Sequence, residues 1–181
     1  MQAMNLIWGG NMPDFDPSSS LWPDGPGQPF FAQLNIVHRQ QVGGTCVSTG
    51  LSLLTGESPA AVRQQINTQN PVSWSVYLQA HGMKLAYCPT DLRRLKHYVP
   101  ELLAHHDLFT LSTYSPLDAQ TIGSDPDSSG WVCGSHFVVL YQDTVYDTRW
   151  SQPVALRDYP DLERYVKRMF RVVPVNHSRG L

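Results

Sequence analysis

Apolar residues recur at helical spacing in the first half of the chain, beginning just after residue 45. They fall on one helix face at Val47, Leu51 and Leu54. Gly56 follows this run and predicts its C-terminal end. Ser58 and Pro59 then predict the N-cap and first residue of a second helix, which continues to about residue 66. A third short helix is predicted over residues 74–79.

The second half of the chain has the pattern of a sheet. Short runs of β-branched and aromatic residues alternate with turn residues. The predicted elements are a strand at 84–87, a helical stretch at 91–106 interrupted at Pro100, strands at 108–114 and 169–175, a hairpin of 135–141 with 145–150, and a short helix at 160–167. Residues 115–130 predict a polar loop. Helices first and an antiparallel sheet second predict an α+β fold.

Composition and charge indicate which classes of molecule the protein is not expected to bind. The chain has 181 residues, 41% of them hydrophobic, which is enough for one domain with a substantial core. Its 13 basic and 15 acidic residues give a net charge of −2 without a basic stripe, so we expect neither a nucleic-acid nor a membrane partner. Residues 1–30 are rich in proline, glycine and aromatic side chains and predict an extended arm packed on the body. Residues 31–181 form the single predicted domain.

Cysteine usage predicts a reduced protein without a metal. Three cysteines, Cys46, Cys88 and Cys133, are too few for a disulfide scaffold and favour a reducing, cytoplasmic compartment. The sequence has no apolar run of about 18 residues and no signal-peptide pattern, and it is compatible with delivery into another cell without a cleaved signal. Cys133 and His136 have ligand-like spacing, but strong zinc sites have two such pairs. We therefore expect neither a metal nor another cofactor.

The segment around Cys46 has the features of a nucleophile site. Gly43 and Gly44 lead directly into the first predicted helix, so that Cys46 lies in its first turn. The unpaired N–H groups and positive end of a helix favour the thiolate and lower the pKa of a cysteine placed there. The same N–H groups can hold an oxyanion during acyl transfer.

His136 and Asp147 lie on the two strands of the predicted hairpin. A thiol-paired histidine needs a third group to fix its tautomer, and a carboxylate on the neighbouring strand can do so. A two-residue turn at 143–144 would place Asp147 opposite Leu140, whereas a four-residue loop at 141–144 would place it opposite Val138, diagonal to His136. A turn at 141–142 would put His136 and Asp147 directly opposite, and a three-residue loop would put them on different faces.

The order of glutamine, cysteine, histidine and acid resembles the papain-like cysteine protease superfamily, in particular its bacterial thiol peptidases and effector-type proteases. The resemblance covers residues 40–52 and 134–150. It implies a papain-like fold, with N-terminal helices that carry the cysteine packed on an antiparallel sheet that carries the histidine and the acid. It also implies the site roles: an oxyanion donor at Gln40 (with Gln41 as the alternative), a nucleophile at Cys46, a general base and acid at His136, and an orienting carboxylate at Asp147.

This set of residues predicts a cysteine-dependent hydrolase that cleaves peptide or isopeptide bonds of a protein or peptide substrate through a thioester. A glutamine deamidase, amidase or acyl transferase would use the same thioester, and a non-catalytic binding module is the third alternative. Trp150, at the end of the predicted hairpin, has a functional interpretation as a residue that packs over the His136–Asp147 pair. Each of these residues also has a plainer interpretation: a buried helix cysteine at Cys46, a hydrogen-bonded strand histidine at His136, a turn carboxylate at Asp147, a surface residue at Gln40, and a hairpin core residue at Trp150, which is the favoured interpretation there.

Overall fold

The computed structural model of the protein describes residues 20–91, 93–114 and 134–181. The predicted loop at 115–130 lies outside the described residues, as do Cys133 and the first 19 residues of the predicted arm. The α-helices are α1 (Cys46–Thr55), α2 (Pro59–Gln65), α3 (Pro71–Gln79) and α4 (Val99–His105). The strands are β1 (Met83–Cys88), β2 (Leu108–Tyr114), β3 (Ser135–Tyr141), β4 (Thr144–Tyr146), β5 (Val154–Ala155) and β6 (Val166–Pro174). The predicted α+β class is confirmed.

Capping residues determine where the first helices begin or end. Gly56 adopts a left-handed conformation with φ of 77° and ends α1 as predicted. The Ser58 hydroxyl accepts from the backbone N–H of Ala61 and caps α2. Helix α3 begins three residues before the predicted start, because Asn70 caps it and Pro71 occupies its first position.

Two helix predictions are wrong in extent or in kind. The stretch at 91–106 contains a 3-10 turn at Leu95–His97 followed by α4. Pro100 does not interrupt a helix but lies in the first turn of α4, where a backbone N–H would have no partner within the helix and its absence in proline costs nothing. The predicted helix at 160–167 does not form. Residues 160–164 make turns, and β6 begins at Val166 because this end of the strand pairs with β2.

The strands form one antiparallel sheet in the order β1-β6-β2-β3-β4-β5, with the last strand inserted between the first two. The pairing of β2 with β6 is interrupted by a bulge. Thr113 pairs with Val166 and Ser112 pairs with Arg168, so Lys167 is one extra residue in β6.

The sheet has a cluster of buried apolar residues on each face. The cluster that includes α1 and α3 contains Phe137 and Val139 of β3. The other contains Val138 and Leu140, as the alternation of a strand requires. Helix α1 approaches β3 closely at Gly50, where an added Cβ would lie 2.4 Å from Cε1 of Phe137. Within the described ranges, no helix has the length and apolarity needed to cross a membrane.

A buried ion pair fixes the segment after residue 20 to the body. Asp107 accepts from Nη2 of Arg171 at 2.7 Å, and both side chains are at most 1% exposed. The same carboxylate accepts from the backbone N–H groups of Phe30 and Phe31. The Arg171 guanidinium also lies 4.9 Å from the ring of Trp22, so one charged pair organises both the sheet and the arm.

Candidate functional site

Cys46 is the first residue of α1 and is only 3% exposed. The turn before it is held by Thr45, whose hydroxyl donates to the carbonyl of Val42 at 2.9 Å. Gly43 in this turn has φ of 61°, a conformation that favours glycine. The structure therefore places Cys46 at a helix N-terminus behind a tight glycine turn, as the sequence predicts.

The register of the β3–β4 hairpin determines where Asp147 lies. Tyr141 pairs with Thr144 and Val139 pairs with Tyr146, so residues 142 and 143 form the turn. Continued by one residue, this register puts Asp147 opposite Val138. This is the register predicted for the four-residue loop at 141–144, except that Tyr141 and Thr144, the outer residues of that loop, also pair with each other. Strand β4 ends at Tyr146, earlier than the predicted residue 150, because residues 147–150 turn around the Asp147 side chain.

Asp147 lies at the centre of a buried network of hydrogen-bond donors. Its side chain is 1% exposed. Nε2 of His136 donates to Oδ1 at 2.7 Å, and the hydroxyl of Tyr159 donates to Oδ2 at 2.8 Å. The indole N–H of Trp150 donates to Oδ2 at 3.1 Å, and Nη2 of Arg149 donates to the same oxygen at 2.6 Å. The backbone N–H of Arg149 adds a further bond to Oδ1 at 2.9 Å.

The network keeps this carboxylate ionised. Burial raises the pKa of Asp147, but the hydrogen bonds from His136 and Arg149 outweigh burial and lower the pKa well below its ordinary value. Burial raises the pKa of Tyr159, and the neighbouring carboxylate raises it further, so the phenol stays protonated and continues to donate. A salt bridge to Asp161 holds Arg149 from its other side.

This arrangement fixes one tautomer of neutral His136. Because Asp147 accepts from Nε2, Nε2 carries the proton and Nδ1 carries the lone pair of the neutral ring. The imidazole side chain is 12% exposed, so its ring retains contact with solvent at the end of the sheet. A histidine oriented in this way presents the Nδ1 lone pair as a proton acceptor, while the carboxylate fixes the orientation of the ring.

Both candidate glutamines are tied to the turn after Asp147. Gln41 is bound tightly: its backbone N–H donates to the carbonyl of Thr148 at 2.7 Å, and its side-chain oxygen accepts from the Thr148 hydroxyl at 2.6 Å. The Gln41 amide nitrogen donates to the carbonyl of Gly43 at 2.8 Å. Gln40 is exposed and donates from Nε2 to the carbonyl of Arg149 at 3.0 Å, which leaves the second N–H of that amide group for another acceptor.

Cys46 and His136 approach the same end of the sheet. Cys46 lines a cavity of about 140 Å³ together with Ser135 and Phe137, the two residues that flank His136 in β3. In strand β3, Phe137 faces α1, and His136 belongs to the alternate row, on the face where Asp147 and Tyr159 lie. The structure thus brings His136 and Asp147 into direct contact, and it places Cys46 in a cavity lined by the two neighbours of His136 in β3.

Sequence reasoning missed Arg149 and Tyr159, two of the residues that hold Asp147. Trp150 is 46% exposed and donates to the carboxylate, so the favoured interpretation as a hairpin core residue is wrong and the alternative, a position against the His136–Asp147 pair, is correct. Arg149 and Tyr159 were not singled out, because neither lies in a periodic pattern and Tyr159 reaches Asp147 only through the tertiary fold. Cys88 is fully buried, and burial raises the pKa of its thiol to about 12.

A metal centre of three or more cysteine, histidine or acidic side chains is not found among the residues that the structure describes. A scan against protein-family models, a search of curated proteins and a search of solved structures each found no match to this chain.

Proposed function

We propose that the protein is a cysteine-dependent hydrolase that cleaves peptide or isopeptide bonds. The observation that carries the proposal is the His136–Asp147 pair, built with a fixed tautomer at the end of the sheet where Cys46 opens α1. A buried carboxylate that holds one nitrogen of a histidine, beside a cysteine at a helix N-terminus, is the constellation that thiol acyl transfer requires.

In the proposed reaction, the Cys46 thiolate attacks the substrate carbonyl carbon and forms a C–S bond, while the carbonyl electrons move to oxygen. The Gln40 amide and the Cys46 backbone N–H would hold this oxyanion. His136 then gives its proton to the leaving amine as the C–N bond breaks. Water attacks the resulting thioester and loses a proton to His136, which releases the acid and regenerates the thiolate.

The proposal makes one geometric demand. His136 belongs to the strand row opposite the one that faces α1, so Nδ1 must reach around the open end of β3 towards Cys46. The position of His136 as the second residue of β3, with its ring partly exposed, favours this approach. Ion-pair formation between Cys46 and His136 is therefore the property to measure first.

The test is alkylation of the folded protein with iodoacetamide between pH 4 and 9, with each labelled cysteine located by mass spectrometry. A Cys46–His136 ion pair should make Cys46 react rapidly well below pH 8, since the thiolate then persists at low pH. His136→Ala should abolish this low-pH reactivity. His97→Ala, at an exposed histidine on a 3-10 turn, is the matched control and should leave it unchanged.

Buried Cys88 is an internal reference that should stay unlabelled until the protein unfolds. If Cys46 in the wild-type protein labels only with the ordinary thiol midpoint near pH 8.5, the nucleophile is not activated and the proposal is wrong. The same conclusion follows if His136→Ala and His97→Ala behave alike. An activated Cys46 would direct substrate trials to peptides, isopeptides and glutamine amides, which share the thioester intermediate.

A further inference from the structure

The segment that leads to Cys46 is hydrogen-bonded along the turn that follows Asp147. Each backbone carbonyl of residues 148–150 accepts a hydrogen bond from a donor in residues 38–41. The donors are the backbone N–H of Gln41 to Thr148 at 2.7 Å, Nε2 of Gln40 to Arg149 at 3.0 Å, and Nε2 of His38 to Trp150 at 2.8 Å. The two segments therefore lie side by side, one continuing into α1 and the other starting at Asp147.

The Gln41 side chain makes a hydrogen bond on each side of this contact. Its amide oxygen accepts from the hydroxyl of Thr148 at 2.6 Å, and its amide nitrogen donates to the carbonyl of Gly43 at 2.8 Å. Thr148 is fully buried, so its hydroxyl needs a protein partner in place of water. Gln41 therefore joins the turn after Asp147 to the glycine turn before Cys46.

The chain between Gln41 and Cys46 is short and is held by its own hydrogen bonds. Only residues 42–45 separate the two. Within them the Thr45 hydroxyl donates to the carbonyl of Val42 at 2.9 Å, and Gly43 has a left-handed conformation. Packing of α1 on β3 constrains the body of the helix, whereas this turn constrains its first residue. A displacement of Gln41 would therefore be passed on to Cys46.

We propose that Gln41 and Thr148 are positioning residues, which hold Cys46 in place relative to the histidine–aspartate pair; this rests on the proposed hydrolase function. In the proposed reaction neither side chain contacts the substrate. Both ends of the Gln41 amide are bound to the protein, so the contact with the oxyanion is left to Gln40. A displacement of reacting groups by about 1 Å can lower a rate roughly a hundredfold, so a contact outside the chemistry can determine the rate.

The test measures how much His136 accelerates the alkylation of Cys46. The quantity is the rate of labelling by iodoacetamide near pH 6, divided by the rate in the same protein carrying His136→Ala. Thr148→Val removes the hydroxyl but keeps the shape of the side chain, and it should lower this ratio about fivefold, as expected for one hydrogen bond. Thr148→Ser keeps the hydroxyl and should recover most of the ratio. If Thr148 only filled space, the order of the two variants would be reversed.

Thr110→Val is the matched control. Thr110 lies in β2 and is 1% exposed, and its hydroxyl makes no hydrogen bond within the described part of the chain, so the same change there should leave the ratio unchanged. Gln41→Met acts from the other side of the contact, at a half-buried side chain, and should lower the ratio at least as much as Thr148→Val. Combining the two should add little, because both remove the same bond.

A ratio that is equal in Thr148→Val and the wild-type protein, or losses that add in the double variant, would overturn the positioning role and leave the hydrolase proposal standing. A wild-type ratio near one would refute both. Amide hydrogen exchange gives a readout that does not depend on Cys46. The backbone N–H of Gln41 should exchange faster in Thr148→Val than in Thr110→Val, since its bond to residue 148 then opens more often. Equal exchange would show that the hydroxyl does not hold the contact and would overturn the proposal.

Discussion

At the scale of single residues, Asp147 is the best-defined part of the site. A carboxylate that is 1% exposed is stable only if hydrogen bonds replace the lost water, and the structure supplies donors from a histidine, an arginine, a tryptophan and a tyrosine. Because these donors favour the charged form, folding and ionisation of Asp147 are coupled. Asp147 is thus a determinant of stability as well as the hydrogen-bond partner of His136.

Replacement of Asp147 should reveal this coupling. At pH 7, Asp147→Asn should lower the free energy of unfolding by about 2–3 kcal/mol, because Arg149 loses one of its two anionic partners and the buried donors around residue 147 lose a charged acceptor. The folded pKa of Asp147 is depressed, so its stabilising contribution is complete above the ordinary pKa of about 3.9 and is lost as the pH falls below that value. The wild-type and variant curves should therefore converge below about pH 4 in urea titrations.

Asp158→Asn, at an exposed aspartate on a 3-10 turn, serves as the control and should show little difference at any pH. A gap between wild type and Asp147→Asn that widens as the pH falls would contradict the direction of the pKa shift.

At the scale of elements, the position of Cys46 depends on how closely α1 packs on β3. Gly50 permits this approach, since any larger residue would meet the ring of Phe137. Phe137 is 2% exposed and also contacts Trp74 edge to face, so its ring is confined on both sides. The absence of one side chain in α1 therefore helps to set the distance between the helix of Cys46 and the strand of His136.

Gly50→Ala tests this contact. In an exposed helix this substitution would stabilise the protein by up to about 1 kcal/mol, but here the added methyl group overpacks the core at a cost of about 1–3 kcal/mol. We expect a net loss of stability, measured by urea unfolding, and slower alkylation of Cys46. Gly27→Ala is the control, because a Cβ at Gly27 meets nothing within 4 Å.

Combining Gly50→Ala with Phe137→Leu should cost less than the sum of the two single changes, since the smaller side chain makes room for the methyl group. Additive losses would show that Gly50 and Phe137 do not share a packing constraint.

The predictions from sequence were accurate for elements that depend on contacts between residues close in the chain, and poor for elements that depend on distant partners. Helices α1 and α2 were predicted because their caps lie within a few residues, and strand β2 was predicted from its own composition. The helix expected at 160–167 failed because β6 gains its partner, β2, from more than 50 residues away. For the site, Cys46, His136 and Asp147 stood out by residue type and order. The bond from Tyr159 to Asp147 could not be predicted, since the two residues are 12 positions apart and only the tertiary fold brings them together.

At the scale of the whole molecule, the Asp107–Arg171 pair connects parts that are distant in sequence. It joins the turn before β2 to β6, and its Asp107 carboxylate accepts hydrogen bonds from the backbone N–H groups of Phe30 and Phe31. A buried ion pair of this kind contributes little more to the free energy of folding than two well-packed apolar residues would. The loss of one partner is costly, however, because it leaves an uncompensated charge in the core. The pair therefore specifies where the arm is seated.

Asp107→Ala should lower the free energy of unfolding by about 3–5 kcal/mol and expose residues 20–40 to limited proteolysis. Asp107→Ala combined with Arg171→Met should recover part of the lost stability, because no unpaired charge is left in the core. It should not restore protection of the arm, because the carboxylate that accepts from the N–H groups of Phe30 and Phe31 is still missing. Asp91→Ala, which breaks an exposed ion pair with Arg93, is the control. Unchanged proteolysis in Asp107→Ala would show that other contacts suffice to hold the arm.

The bulge in β6 also bears on how the length of the chain can vary. Thr113 with Val166, and Ser112 with Arg168, would become consecutive ladder pairs if Lys167 were deleted, so the sheet would lose an irregularity and no pairing. A three-base deletion in the gene would thus remove the Lys167 side chain from the lining of the cavity beside Cys46 while every strand keeps its neighbour. The sheet can therefore absorb a change in chain length at this position, and the change alters what lines the cavity beside Cys46 while His136 and Asp147 keep their contact.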